Sequence, residues 1–233
     1  MVAPVVEPID FWRVAAMDVV RVWFKKTGKA KYISHLDLMR YITRMLRKTD
    51  LNLYYTQGFN PRISIVFALS LPLGVEGLTE SFDIKLPCDM SSEYIKKQFD
   101  LISSTEITFT GISKPVYKPI DIRYAEYTIT LFECSDNIKN LIISKLSSDE
   151  LTIIKRSKKG AEKSINLLEN IVNLSVGGFE TEFTLNLLLP AGNFNNINPL
   201  IFLSALLEGT DYDYKTAKIV RNRLLIDKEK NYA

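Results

Sequence analysis

The chain is poor in the residues that most often carry chemistry. Among its 233 residues there are one histidine and two cysteines. Cys88 and Cys134 lie far apart, in LPCDM and FECS, which excludes a disulfide framework and the clustered spacing of iron-sulfur ligands. A lone histidine leaves no second imidazole for an acid and base pair, and without a His and Cys cluster no metal site is legible. No apolar run reaches the roughly 18 to 20 residues of a membrane span. The opening MVAPVVEPIDFWRVAAM is acidic and interrupted by Pro4 and Pro8, instead of basic and then continuously apolar. The expectation is a cytoplasmic protein with no membrane contact, no metal and no cofactor bound by the chain itself.

What is present is a globular composition, 46% hydrophobic with a mean hydropathy of +0.01. Such a chain can bury a sizeable core, as one large domain or as two of about a hundred residues each. Its formal net charge of +3 conceals an asymmetry. Residues 19–62 hold ten basic side chains (Arg21, Lys25, Lys26, Lys29, Lys31, Arg40, Arg44, Arg47, Lys48 and Arg62) and two acidic ones, Asp37 and Asp50. Ten less two makes that segment +8, so the rest of the chain is −5. A segment so polarised on a nearly neutral chain points to an anionic partner on one surface.

Element order suggests the fold class. Residues 1–16 read as an N-terminal arm. A strand is predicted over 19–24, with AKYI extending it toward a helix that begins near residue 35. Strands follow over 51–56 and 63–71, separated by the turn residues of QGFNPR, and a further strand or hairpin partner over 80–86. A serine-capped helix over 91–102 and a strand over 106–113 close this region. With one additional strand, the order is β-α-β-β-α-β, the ferredoxin-like plan. Pro115 and Pro119 mark a linker, and the order then repeats: strand 123–132, helix 135–146, strand 151–156, the basic loop SKKGAEK, a hairpin turning at Gly177-Gly178, helix 199–207 and strand 217–226. The expectation is an α+β protein of two tandem ferredoxin-like domains, at 17–114 and 120–233.

The stretch YISHLDLMRYITRMLRKTD at 32–50 carries the only histidine. Ser34 followed by Asp37 resembles a capping box with Asp in place of Glu, so the helix should start at His35. Intervals of 100° put Leu38, Met39, Tyr41, Ile42, Met45 and Leu46 on one face and Arg40, Arg44, Arg47 and Lys48 on the other. That basic face lacks the acidic i to i+4 partners of a merely soluble helix. His35 falls beside the apolar stripe, which leaves two roles open: general acid or base, or a packed ring. If AKYI continues the first strand, the start of the helix faces QGFNPR. Ser34, His35, Asp37, Gln57, Asn60 and Arg62 then share one polar neighbourhood suited to a phosphate or carboxylate, with backbone NH groups from the helix start and the Gly58 turn.

Residues 24–86 resemble the N-terminal signature of the radical-SAM-associated protein family, most sharply at SHLDLMR, QGFNP, LPLGVE and ES-D, and more loosely at YAEYTITL over 124–131. The family pattern marks Ser34, His35, Asp37, Arg40, Gln57, Gly58, Phe59, Asn60 and Pro61. The chain departs from it at GFNPRI, where members carry His or Arg followed by a second proline. The resemblance implies a radical-SAM protein as partner. That partner would carry the iron-sulfur cluster and S-adenosylmethionine, since this chain has no CxxxCxxC. The tandem order is also similar to that of the CRISPR-repeat-processing endoribonucleases.

These readings converge on a non-catalytic accessory module that binds structured RNA for a radical-SAM partner. Arg40, Arg44, Arg47 and Lys48 would contact phosphates, assisted by Lys29, Lys31 and Arg62, with Lys155, Arg156, Lys158 and Lys159 as a second patch. Tyr32, Tyr54, Tyr55 and Phe59 could stack on unpaired bases or serve as core and cross-strand residues. Two alternatives stand beside it: a metal-independent ribonuclease using His35, and a module whose basic face docks only the protein partner.

Overall fold

A computed structural model describes residues 17–148, 150–156, 162–178, 181–193 and 195–232. The expected arm at 1–16 and the loop residues Lys158 and Lys159 lie outside these. The first half runs β1 (Met17–Lys26), a 3-10 helix (Gly28–Tyr32), α1 (His35–Leu46), β2 (Ile65–Phe67), β3 (Val75–Pro87), α2 (Ser92–Ile102) and β4 (Ile107–Ser113). The second runs β5 (Tyr124–Phe132), α3 (Asp136–Leu146), β6 (Thr152–Arg156), β7 (Glu162–Asn166), β8 (Asn173–Gly177), β9 (Glu182–Pro190), α4 (Pro199–Leu206) and β10 (Lys218–Leu225).

The fold is mixed α+β. Eight strands form one sheet in the order β4-β1-β3-β10-β5-β9-β8, with β2 also on β3, while β6 and β7 pair separately. Every pairing in the large sheet is antiparallel except β3 with β10, where Val75–Gly77 runs parallel to Ile219–Arg221. Period-two alternation sets the faces: Ala125, Tyr127, Ile129 and Leu131 of β5 are buried in succession. On α1, Leu38, Ile42 and Leu46 are buried at intervals of four, and they pack with Val22, Phe24, Phe82 and Phe99 into the first core. Each such side chain contributes about 1.5–3 kcal/mol on burial. A second core fills the other half and draws in Ala68, Leu71 and Val75 from the first, so the sheet and its packing continue past Pro115 and Pro119.

Four details differ from the sequence expectation. AKYI does not extend β1 but winds into the 3-10 helix. The strand expected over 51–56 reduces to a single bridge, Tyr55 with Ile63, and the next strand to Ile65–Phe67. The cause is local closure: the Thr56 N–H donates to the Arg62 carbonyl at 2.7 Å and the Arg62 N–H to Thr56 Oγ1 at 3.1 Å, so QGFNPR turns upon itself instead of joining two sheet strands. The strand expected over 80–86 starts earlier, at Val75, because β10 pairs with that end of it. Residues 152–156 pair with β7 apart from the large sheet, whereas Asn173–Gly177 pairs with β9 as the expected hairpin.

The parallel junction is charged. Gly77 is the register partner of both Lys26 on β1 and Arg221 on β10, and Arg221 is in turn the partner of Tyr127 on β5. Lys26, Arg221 and Tyr127 are each 1% exposed. The side chain of Glu80 occupies the space above Gly77, where an added Cβ would collide with the carboxylate at Oε1. Arg221 donates from Nε to Oε1 at 2.9 Å and from Nη2 to Oε2 at 2.5 Å, and its remaining donors reach the carbonyls of Ser70 (3.1 Å) and Leu69 (3.0 Å). The last strand is thereby bound to three residues of the first half. A second buried arginine secures the opposite face: Arg21 grips Asp83 at 2.8 and 2.9 Å and the Tyr117 carbonyl at 2.8 Å, with its guanidinium 4.2 Å from the centre of the Tyr232 ring.

Removing one member of a buried pair leaves the other charge uncompensated. Glu80→Ala is therefore expected to lower the unfolding free energy in urea by about 3–5 kcal/mol. Glu76→Ala, which removes the partner of the half-exposed Lys218 at 4.0 Å, should cost less than about 1 kcal/mol. Equal effects would show that the junction is not stabilised as described.

Candidate functional site

The ten basic residues of 19–62 divide into two classes. Arg21 and Lys26 are buried and serve the interior, which removes them from any surface patch. Arg40 and Arg44 on α1, and Arg47 and Lys48 in the turn that ends it, are exposed. Among the described residues only Arg40 of these four has an ion pair, with Asp37 at 3.0 Å. Arg40 and Arg44, four residues apart, lie on one stripe of the 12-residue helix, about 18 Å long, and Arg47 and Lys48 follow in the turn that ends it. Lys29 and Arg62 are also exposed, and the Lys31 ammonium lies 5.2 Å from the Tyr32 ring. Lys155 and Arg156 fall on β6.

The start of α1 is filled by its own side chains. Ser34 Oγ accepts the Asp37 N–H at 3.2 Å and donates its hydroxyl to Asp37 Oδ2 at 2.7 Å. These bonds, with Arg40 beside them, hold the Asp37 carboxyl below its usual range. A carboxylate already occupies the positive end of the helix, which disfavours a second anion there. The expected meeting with QGFNPR is not made through any hydrogen bond, ion pair or ring contact among the described residues. The turn that meets this end is Pro72–Gly74, where the Gly74 N–H donates to the Lys31 carbonyl at 2.8 Å. Gln57, Gly58, Phe59, Asn60, Pro61 and Arg62 are all exposed on their own loop.

His35 is half-buried, its ring edge-on to Phe67 with centroids 5.2 Å apart. Burial lowers its pKa first, and the positive charges of Lys26 and Arg221 lower it further against the opposing pull of Glu80. The shift favours the neutral ring, the form suited to a general base more than to a general acid. Directly inward, Lys26 Nζ donates to the Ile33 carbonyl at 2.8 Å, joining β1 to the residue before the helix cap. Burial also depresses the Lys26 pKa, with Glu80 opposing and Arg221 adding to the shift.

Lys26, Glu80, Arg221 and Tyr127 escaped the sequence reading as a group, yet strand parity contains the signal. Val22, Phe24 and Lys26 share one face of β1, and Glu80 falls in step with Phe82, Ile84 and Leu86. A charged residue at an inward position calls for an opposite charge nearby.

A mixed α+β sheet protein with a cationic helix on its surface defines the class. The chain belongs to the family described as "Uncharacterized protein conserved in bacteria (DUF2344)", whose profile matches residues 20–199. No curated protein matches it. Two solved structures are distantly similar. One is a chain from the "Crystal Structure of a Cbf5-Nop10-Gar1 Complex", 14% identical with a TM-score of 0.42 over 88% of this chain and 48% of that one, so this chain spans about half its length. The other is an unknown protein from Galdieria sulphuraria, 15% identical with a TM-score of 0.25 over 88% and 96% of the two chains. No helix among the described residues is long and apolar enough to cross a membrane.

The lowered pKa of His35 carries a stability consequence. Between its folded pKa and 6.5, the unfolded chain binds a proton that the folded chain does not, so stability rises with pH and is lost as pH falls through this window. The drop in Tm from pH 7 to pH 5 is expected to be smaller in His35→Gln than in the wild type. An equal drop in both would show that the imidazole does not titrate under this constraint.

Proposed function

We propose that the chain is a non-catalytic accessory module that binds structured RNA on the outer face of α1 and works with a radical-SAM enzyme. That partner would supply the iron-sulfur cluster and S-adenosylmethionine. The scaffold in this reading is a pair of ferredoxin-like units fused through one sheet. The pairing orders β4-β1-β3-β2 and β10-β5-β9-β8, each fourth-first-third-second once β6 and β7, which pair apart, are left out of the second, support it.

One observation carries the binding role: Arg40 and Arg44 on α1, with Arg47 and Lys48 in the turn that ends it, are exposed, and Asp37 is the only acidic residue of the helix. The cations needed by the interior are a different set, Arg21, Lys26 and Arg221. An unneutralised cationic stripe suits a polyanion, because each phosphate it meets releases condensed counterions. The radical-SAM partnership rests on the resemblance at SHLDLMR, QGFNP and LPLGVE. The half-burial of His35 and its edge-on packing against Phe67 favour a structural histidine over the ribonuclease alternative.

Binding of a hairpin RNA measured between 50 and 200 mM salt tests this. Wild type should weaken steeply across that range, and Arg44→Glu/Arg47→Glu should lose at least about tenfold in affinity. The slope of log affinity against log salt should also become shallower by about 0.7–0.9 for each phosphate that the variant no longer neutralises. Affinity flat in salt and indifferent to the double substitution would contradict the RNA reading. If the same substitution instead abolished copurification with the radical-SAM protein, the stripe would be a protein-docking surface.

A further inference from the structure

The QGFNPR loop presents a feature that a basic helix alone does not explain. Phe59 has a relative exposure of 111%, so its whole ring stands in water. The loop holding it is built firmly. Tyr55 bridges to Ile63, which is 4% exposed, and the Thr56–Arg62 bonds close the neck. Below them the Ser64 N–H donates to the Tyr54 carbonyl at 3.0 Å, and the Tyr54 N–H to the Lys85 carbonyl at 3.3 Å on β3. Pro61 fixes its own φ and confines Asn60 to extended backbone. Gly58, at φ 138°, takes a conformation that disfavours other residues, and nothing lies within 4 Å of where its Cβ would be. The backbone thus holds the ring out at little conformational cost on binding.

The surroundings select the partner. From residue 51 to residue 75 the sequence contains no Asp or Glu. Arg62 stands exposed at the neck, Tyr55 is 40% exposed, and the Lys85 ammonium lies 5.1 Å from the Tyr54 ring. An exposed planar ring, on a loop that carries Arg62 within a segment without Asp or Glu, matches one base of a nucleic acid with a phosphate beside it. A lipid surface would call for a broader apolar face than one ring.

We infer that the 56–62 loop reads an unpaired nucleobase, which stacks on Phe59 while Arg62 contacts an adjoining phosphate. The inference rests on the RNA reading and narrows it: the RNA must offer a loop, bulge or flipped base in addition to the phosphates held by the basic residues of 40–48.

The test compares a stem-loop RNA with a fully paired duplex of equal charge, using wild type, Phe59→Ala and Phe59→Trp. An exposed ring can be replaced without loss of fold, which circular dichroism would confirm. In Phe59→Ala the preference for stem-loop over duplex should fall about tenfold. In Phe59→Trp it should persist, with the new indole fluorescence quenched on binding. An unchanged preference in Phe59→Ala, with wild-type binding still salt-dependent, overturns the stacking role and leaves the RNA reading standing. Wild type that binds neither RNA overturns both. Loss in Phe59→Ala of binding to phosphatidylserine vesicles, with the RNA preference unchanged, assigns the ring to a membrane and overturns the inference.

Discussion

The buried pair between Glu80 and Arg221 is the constraint from which the rest of the arrangement follows. Bringing two charges out of water is costly, and their attraction repays the cost only with complete hydrogen bonding. Here four of the five N–H groups of Arg221 are taken by the two carboxylate oxygens and the carbonyls of Ser70 and Leu69. The pair fits only because Gly77 has no side chain to contest the carboxylate. It therefore locates the parallel contact of β3 with β10, which turns two four-strand groups into one sheet.

The same junction positions α1. Lys26, on the other side of Gly77, reaches the Ile33 carbonyl immediately before the Ser34 cap. His35 then packs on Phe67, and Leu38, Ile42 and Leu46 lock the helix onto the sheet. With its inward face so determined, the outward face must be the one bearing Arg40 and Arg44, with Arg47 and Lys48 in the turn that ends the helix. Cations in this protein are sorted by function: those inside are paired or bonded to carbonyls and hold the fold, and those on α1 remain solvated.

Local chemistry was legible in the sequence and distant pairing was not. Ser34 and Asp37 mark the start of α1 and the 100° periodicity assigns its faces, because caps and periodicity depend on neighbouring residues alone. Alternation likewise identifies β5 and β9. The parallel contact of Val75–Gly77 with Ile219–Arg221 joins residues more than 140 apart, and no local pattern encodes it. Turn residues in QGFNPR correctly announced a reversal, but not that its neck would close through Thr56 and Arg62 and leave the loop outside the sheet. Lys26 and Glu80 hold inward parity in the sequence itself. What concealed them was the habit of assigning basic residues to surfaces, which also inflated the apparent cationic patch by Arg21 and Lys26.

The most direct measurement of the central claim is ultraviolet crosslinking of the intact protein to a bound stem-loop RNA, with the attached peptides identified by mass spectrometry. The account predicts adducts concentrated in peptides spanning residues 36–66, which contain the α1 stripe and the exposed rings of Tyr55 and Phe59. Adducts confined to the second half of the chain, with none in that span, would contradict it.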